Sequence, residues 1–141
     1  MKNVNWGRFV LGALIVAAIC FVSDGFLHQK VVNEQWTALV AALGTTMKEH
    51  AGWSMVYFVV FEMGRGFLTM YVYVLLRPRL GPSATTATWA GLVAWVAYSL
   101  TGPVQFIPLG FYSEGLWLSV GAFQLVFSIV AAIAGAAPYK E

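Results

Sequence analysis

Charge is scarce in this chain. Only 10% of its 141 residues are Asp, Glu, Lys or Arg, against about a quarter in a soluble domain. That scarcity excludes a globule clothed in water-facing side chains, so the surface must face lipid. Cysteine is almost missing as well. Cys20 stands alone, which excludes an intrachain disulfide and a cysteine metal site. No basic run and no glycine-rich phosphate loop occurs, which argues against nucleic-acid and nucleotide partners. The net charge of +2 comes from loop lysines and arginines. No serine–histidine–acid or zinc-protease signature is present.

Apolar runs are plentiful. The composition is 60% hydrophobic and the mean hydropathy is +0.74. A bilayer span needs about 20 apolar residues. Four segments qualify: 8–28, 52–76, 86–107 and 115–137. The first passes Ala17-Ala18 without a small-x-small exit, and Ile19 before Cys20 is a poor lipoprotein site, so it reads as a retained span. Thr46 to Glu49 fits a capping box ahead of the second, and Arg77-Pro78-Arg79 reads as its stop. Gly102-Pro103 predicts a kink in the third that frees a backbone carbonyl, and Pro108 ends it. Between the first two spans, Val32, Trp36, Leu39, Val40 and Leu43 recur at helical spacing. Residues 32–44 therefore predict a short amphipathic helix lying in the outer interface. The fold class expected is an all-α membrane protein, a four-transmembrane-helix bundle in one domain, with that helix on its outer side.

Lys2, Arg8, Arg77, Arg79 and Lys140 fall on one side of this layout, and Lys30 and Lys48 on the other. The positive-inside rule then puts both termini in the cytoplasm. Trp6, Trp36, Trp53, Trp89 and Trp117 lie near span ends, as an aromatic belt requires. A weak internal likeness links the halves. Spans one and three end at Asp24-Gly25 and Gly102-Pro103, and spans two and four carry Glu62 and Gln124 inside them.

The most informative residues are Glu62 and Arg65, three apart and so on one helix face, about 15 Å deep. Charge at that depth needs a partner. Ser54, Phe58, Thr69 and Tyr73 continue roughly the same stripe, which should face the bundle interior. Either the pair fixes helix register, or it is a proton, ion or ligand site. Gln105, beside Tyr98, Ser99 and Thr101 at the kink, is a candidate third member. Asp24 and His28, four apart near the outer end of span one, form a second candidate pair. It can hold a proton or metal, or simply cap the helix. No cofactor is required by the sequence. His28 and His50 both lie on the outer side, where two histidines can ligate haem and one a chlorophyll-type pigment. Gly12, Ala13, Ala17, Gly64, Gly66, Gly121, Ala131 and Gly135 suit close helix approach.

Asp24-Gly25-Phe26-Leu27-His28, with Trp36 eight residues on, Asn5-Trp6 at the start and Pro103 and Pro108 late in span three, resembles a group of small bacterial four-span membrane proteins of unknown function. The resemblance implies a compact pair of helical hairpins in a bacterial cytoplasmic membrane. Arg65 lies outside it. The leading functional expectation is a non-catalytic accessory subunit of a larger membrane assembly, since aromatics make up 16% of residues and offer contact surface. The rivals are a small carrier or channel using Glu62 and Arg65, and a haem or pigment protein using His28 or His50.

Overall fold

A computed structural model describes residues 4–44 and 53–139. The described residues are helical apart from short connections, and none is in a strand. Helix α1 runs Trp6–Phe26, α2 Asn33–Ala42, α3 Trp53–Leu80, α4 Ala84–Trp95, α5 Thr101–Val104 and α6 Glu114–Ala136. Among the described residues, three stretches are long and apolar enough to cross a membrane: Trp6–Val31, Met55–Leu80 and Glu114–Ala136. The expected capping box at Thr46–Glu49 lies outside the described residues.

Side-chain caps open the helices where the sequence supplies them. Asn5 accepts from the Arg8 amide at 3.2 Å, Ser83 from Thr86 at 3.2 Å and Ser113 from Leu116 at 3.1 Å. Two boundaries differ from expectation. Helix α3 passes through Pro78 and ends at Leu80. Proline in a last turn removes one hydrogen bond without stopping the chain. The stop is Gly81, whose φ of +79° gives the left-handed cap and whose amide donates to Arg77 O at 2.9 Å.

The third apolar segment, expected as one kinked span, is three pieces. Residues Val96–Leu100 form a wide π-helical turn between α4 and α5. The break thus starts a full turn before Gly102-Pro103. Pro103 has no N–H for the carbonyl four residues back, and a widened turn absorbs the mismatch. The Thr101 hydroxyl covers the loosened carbonyls, donating to Val96 O at 3.0 Å and Ala97 O at 3.1 Å. A matching wide turn, Leu27–Val31, ends α1.

Four helical columns pack in the cyclic order α1, α3, α4, α6, with only a slight diagonal contact between α3 and α6. Small residues set the seams. A Cβ on Gly12 would lie 2.5 Å from Gly135 O, and one on Gly91 2.7 Å from Ser128 O; Gly66 meets the carbonyl of Ala13 more closely still. The inner core gathers Phe9, Val16, Met70 and Tyr73 around them. Its lower edge is clasped by Tyr139, which accepts from the Asn5 amide at 3.3 Å, meets the Tyr73 ring edge-on and lies 5.1 Å below Arg77. A smaller outer cluster of Leu27, Val32, Leu116 and Val120 seats α2 through Trp36 and Leu39.

Candidate functional site

Helix α6 brings two polar side chains four residues apart, Gln124 and Ser128, onto one buried face. Helix α3 brings Glu62 and Arg65 onto another. Helix α1 brings Asp24. The glycine seam fixes their heights. Gly12 faces Gly135, so twelve residues up α1 is Asp24 and eleven back along α6 is Gln124. Arg65 belongs to a lower level, because its neighbour Gly66 rests between Ala13 and Ala17. Helical side chains lean toward their own N-terminus. Helices α1 and α3 run antiparallel, so Arg65 and Asp24 lean toward each other, and the two meet.

The guanidinium is the hub. Arg65 Nη1 donates to Asp24 Oδ2 at 3.0 Å, and Nη2 to Ser128 Oγ at 2.5 Å. Gln124 Nε2 donates to the same Asp24 oxygen at 2.6 Å. Glu62 Oε2 stands 3.6 Å from Arg65 Nη1, close enough for charge attraction and too far for a hydrogen bond. Thr69 Oγ1 donates back to Arg65 O at 2.8 Å. The relative exposures are 1% for Arg65, 5% for Glu62 and 8% for Asp24. Asp24 stands seven residues before Val31 and Glu62 seven past Met55, so both lie roughly 10 Å inside the ends of these apolar stretches. Two carboxylates therefore share one guanidinium in the bundle interior. Among the described residues, Asp24 Oδ1, Glu62 Oε2 and Arg65 Nε make no hydrogen bond.

Other expected members stand elsewhere. Gln105 is exposed and donates to Gly102 O at 3.1 Å, in the turn its own proline creates. It is not part of the Arg65 cluster. Tyr73 lies two turns further along α3, against Tyr139. Of the expected pair Asp24 and His28, Asp24 meets Arg65 and Gln124, and His28 meets Trp36. His28 Nδ1 accepts from Trp36 Nε1 at 2.7 Å, and Trp36 meets Tyr112 edge-on at 5.3 Å. Burial first, and the Asp24 charge second, push the Tyr112 phenol up to about 12. His50 lies outside the described residues. No three His, Cys, Asp or Glu side chains are grouped to hold a metal among those described.

Sequence reasoning missed Asp24 as the principal partner of Arg65, and it missed Ser128. The signal was available. Asp24 sits inside an apolar run as Glu62 does, so the same desolvation argument applied to it.

A groove runs beside the cluster along the α1–α6 seam. At one end of the seam Gly12 and Gly135 hold the backbones together. Further along, where Gln124 of α6 bonds Asp24 of α1, the two helices flank a groove of about 570 Å³, lined by Ala18, Val22, Ser23 and Phe26 of α1 and Phe123 and Phe127 of α6. The two phenylalanine rings stack at 4.7 Å. Compared with known proteins, the chain matches no family model, no curated protein and no solved structure.

Proposed function

We propose that this protein is a small membrane carrier that exchanges a proton for a solute at the Asp24–Glu62–Arg65 cluster. The observation that carries the reading is the charge count. One guanidinium balances one carboxylate, and here two converge on it, both buried. A tie between helices needs only one acid. The second asks for another positive charge, because uncompensated charge in an apolar interior is expensive. A proton and a cation satisfy that need alternately, and alternation is what an exchanger uses.

In this reading the broken column Ala84–Val104 crosses as a fourth span, with both termini on the cytoplasmic side of a bacterial inner membrane. Arg8, Arg77 and Arg79 at one end, against Lys30 at the other, support that orientation. A second reading, an accessory subunit, is favoured by the outer half of α3, where Tyr57 is 77% and Val60 64% exposed. Such a face suits a partner helix as well as lipid.

The test is reconstitution of the purified chain alone into liposomes holding a pH-sensitive dye. An imposed proton gradient should collapse faster than in protein-free vesicles when sodium, potassium or an organic ammonium is supplied on the opposite side. Folded protein that moves no protons with any of them overturns the carrier. Gentle extraction from native membrane as a stoichiometric particle with other polypeptides would then support the subunit.

A further inference from the structure

The groove between α1 and α6 lies at the height of the cluster. Ser23 in its wall precedes Asp24, Phe123 precedes Gln124, and Phe127 precedes Ser128. Groove and cluster thus occupy adjacent faces of the same two helices, at the part of the seam that the glycines do not close. From this arrangement we infer that the site takes an amphiphilic organic monocation, an ammonium on an aromatic body, entering sideways from the lipid between α1 and α6. The inference rests on the carrier reading and names its substrate class.

Three features select that chemistry. The first is sign. Asp24 and Glu62 against Arg65 leave one negative charge over, and Arg65 already gives one hydrogen bond from each Nη, to Asp24 and to Ser128. An anion would meet two carboxylates against a single guanidinium. The second is hydrogen bonding. The cluster atoms that make no hydrogen bond are two carboxylate oxygens, Asp24 Oδ1 and Glu62 Oε2, and one nitrogen, Arg65 Nε. An ammonium supplies up to three donors. The third is the wall. A small hydrated ion has no use for a groove of alanine, valine and stacked phenylalanine, whereas an aromatic body fills it, with its charge near the ring faces. Ser23 does not obstruct the way, because its hydroxyl donates to Cys20 O at 3.0 Å. The titratable groups facing the site are Asp24 and Cys20 from α1, Glu62 and Arg65 from α3, and Tyr112 from the segment before α6, which feels the Asp24 charge. Helix α6 offers neutral Gln124 and Ser128, and Tyr98 stands on Gly64 across the α3–α4 seam.

The probe is naphthylmethylammonium, fluorescent and charged, titrated onto the detergent-purified full chain. Naphthylmethanol serves as its neutral isostere and naphthylacetate as its anion. The ammonium should saturate one site and release protons into weakly buffered solution, so its affinity rises with pH. The alcohol should bind at least about tenfold more weakly, the ratio one charge-assisted hydrogen bond supplies, and the acetate should not bind. Glu62→Gln should lose a similar factor while melting as wild type does. Phe127→Ala should weaken both ammonium and alcohol, and Phe127→Leu should restore most of it. Equal binding of alcohol and ammonium would overturn the inference and leave the groove as a seat for lipid. Binding indifferent to Glu62→Gln and to pH would also overturn it. If Asp24→Asn does not fold, the pH dependence of wild type still decides. Ammonium binding without any flux would refute the carrier and leave the site standing. Flux with sodium or potassium and no ammonium binding would do the reverse.

Discussion

Removing Arg65 should damage the fold more than removing either acid, and the damage should be recovered in part by removing Asp24 as well. Arg65→Met strands two carboxylates in the bundle interior. It also deprives Asp24 Oδ2 of its 3.0 Å donor and Ser128 of its partner. Breaking a buried pair from one side costs about 3–5 kcal/mol, and the upper part of that range fits two stranded acids. Asp24→Asn leaves Arg65 with Glu62 at 3.6 Å, and it takes the charge from two hydrogen bonds, those from Arg65 and Gln124, which an amide oxygen still accepts as weaker ones, so it should cost about 1.5–3 kcal/mol. Glu62→Gln removes the surplus charge and breaks no hydrogen bond to Arg65, so it should be close to neutral. The double change Asp24→Asn with Arg65→Met should be less harmful than the sum by about 2 kcal/mol, inside the range for residues in one network. Thermal and denaturant unfolding in one detergent gives all four corners of the cycle. Additive single and double changes, or Glu62→Gln as the worst variant, would refute the assignment of Asp24 as the principal partner.

Other consequences concern packing, topology and titration. Gly66→Ala should lower stability by about 1–3 kcal/mol, since its methyl would strike the Ala13 carbonyl. Gly25→Ala, which meets nothing within 4 Å, should raise stability by up to about 1 kcal/mol through helix propensity. Paired melting curves check both. Cysteine introduced at Asn33 should react with an impermeant reagent on intact cells, and cysteine at Pro82 should not; the opposite pattern would invert the topology. The Tyr112 phenol should stay un-ionised until pH nears 12, as followed by tyrosinate absorbance against Tyr112→Phe. Because burial favours the neutral phenol, its contribution to stability is complete below pH 10 and is lost as pH rises through about 12. A Tyr112 step near pH 10 would contradict its seat beneath Trp36.

Much of the architecture was legible because lipid imposes simple rules. Long apolar runs marked the three helices long enough to cross a membrane, and small residues marked the seams, with Gly12, Gly66 and Gly135 all in tight contacts. Local chemistry was less transparent where proline was concerned. Pro78 is tolerated in a final turn, and Pro103 acts a full turn upstream through the backbone. The site was legible on one helix only. The spacing of Glu62 and Arg65 shows that they share a face. That Arg65 reaches Asp24 depends on the lean of antiparallel side chains and on the glycine register, which are tertiary facts. Gln105 sounded equally polar in sequence and proved to serve its own turn.

The central claim, that the cluster is where protons are exchanged, is tested most directly by comparing proteoliposomes of wild type, Glu62→Gln and Gln105→Ala at matched protein content and matched melting temperature. Wild type and Gln105→Ala should collapse an imposed proton gradient at similar rates when a cation is supplied on the opposite side. Glu62→Gln, correctly folded and without the surplus carboxylate, should be as slow as protein-free vesicles. Full activity in Glu62→Gln would contradict the account.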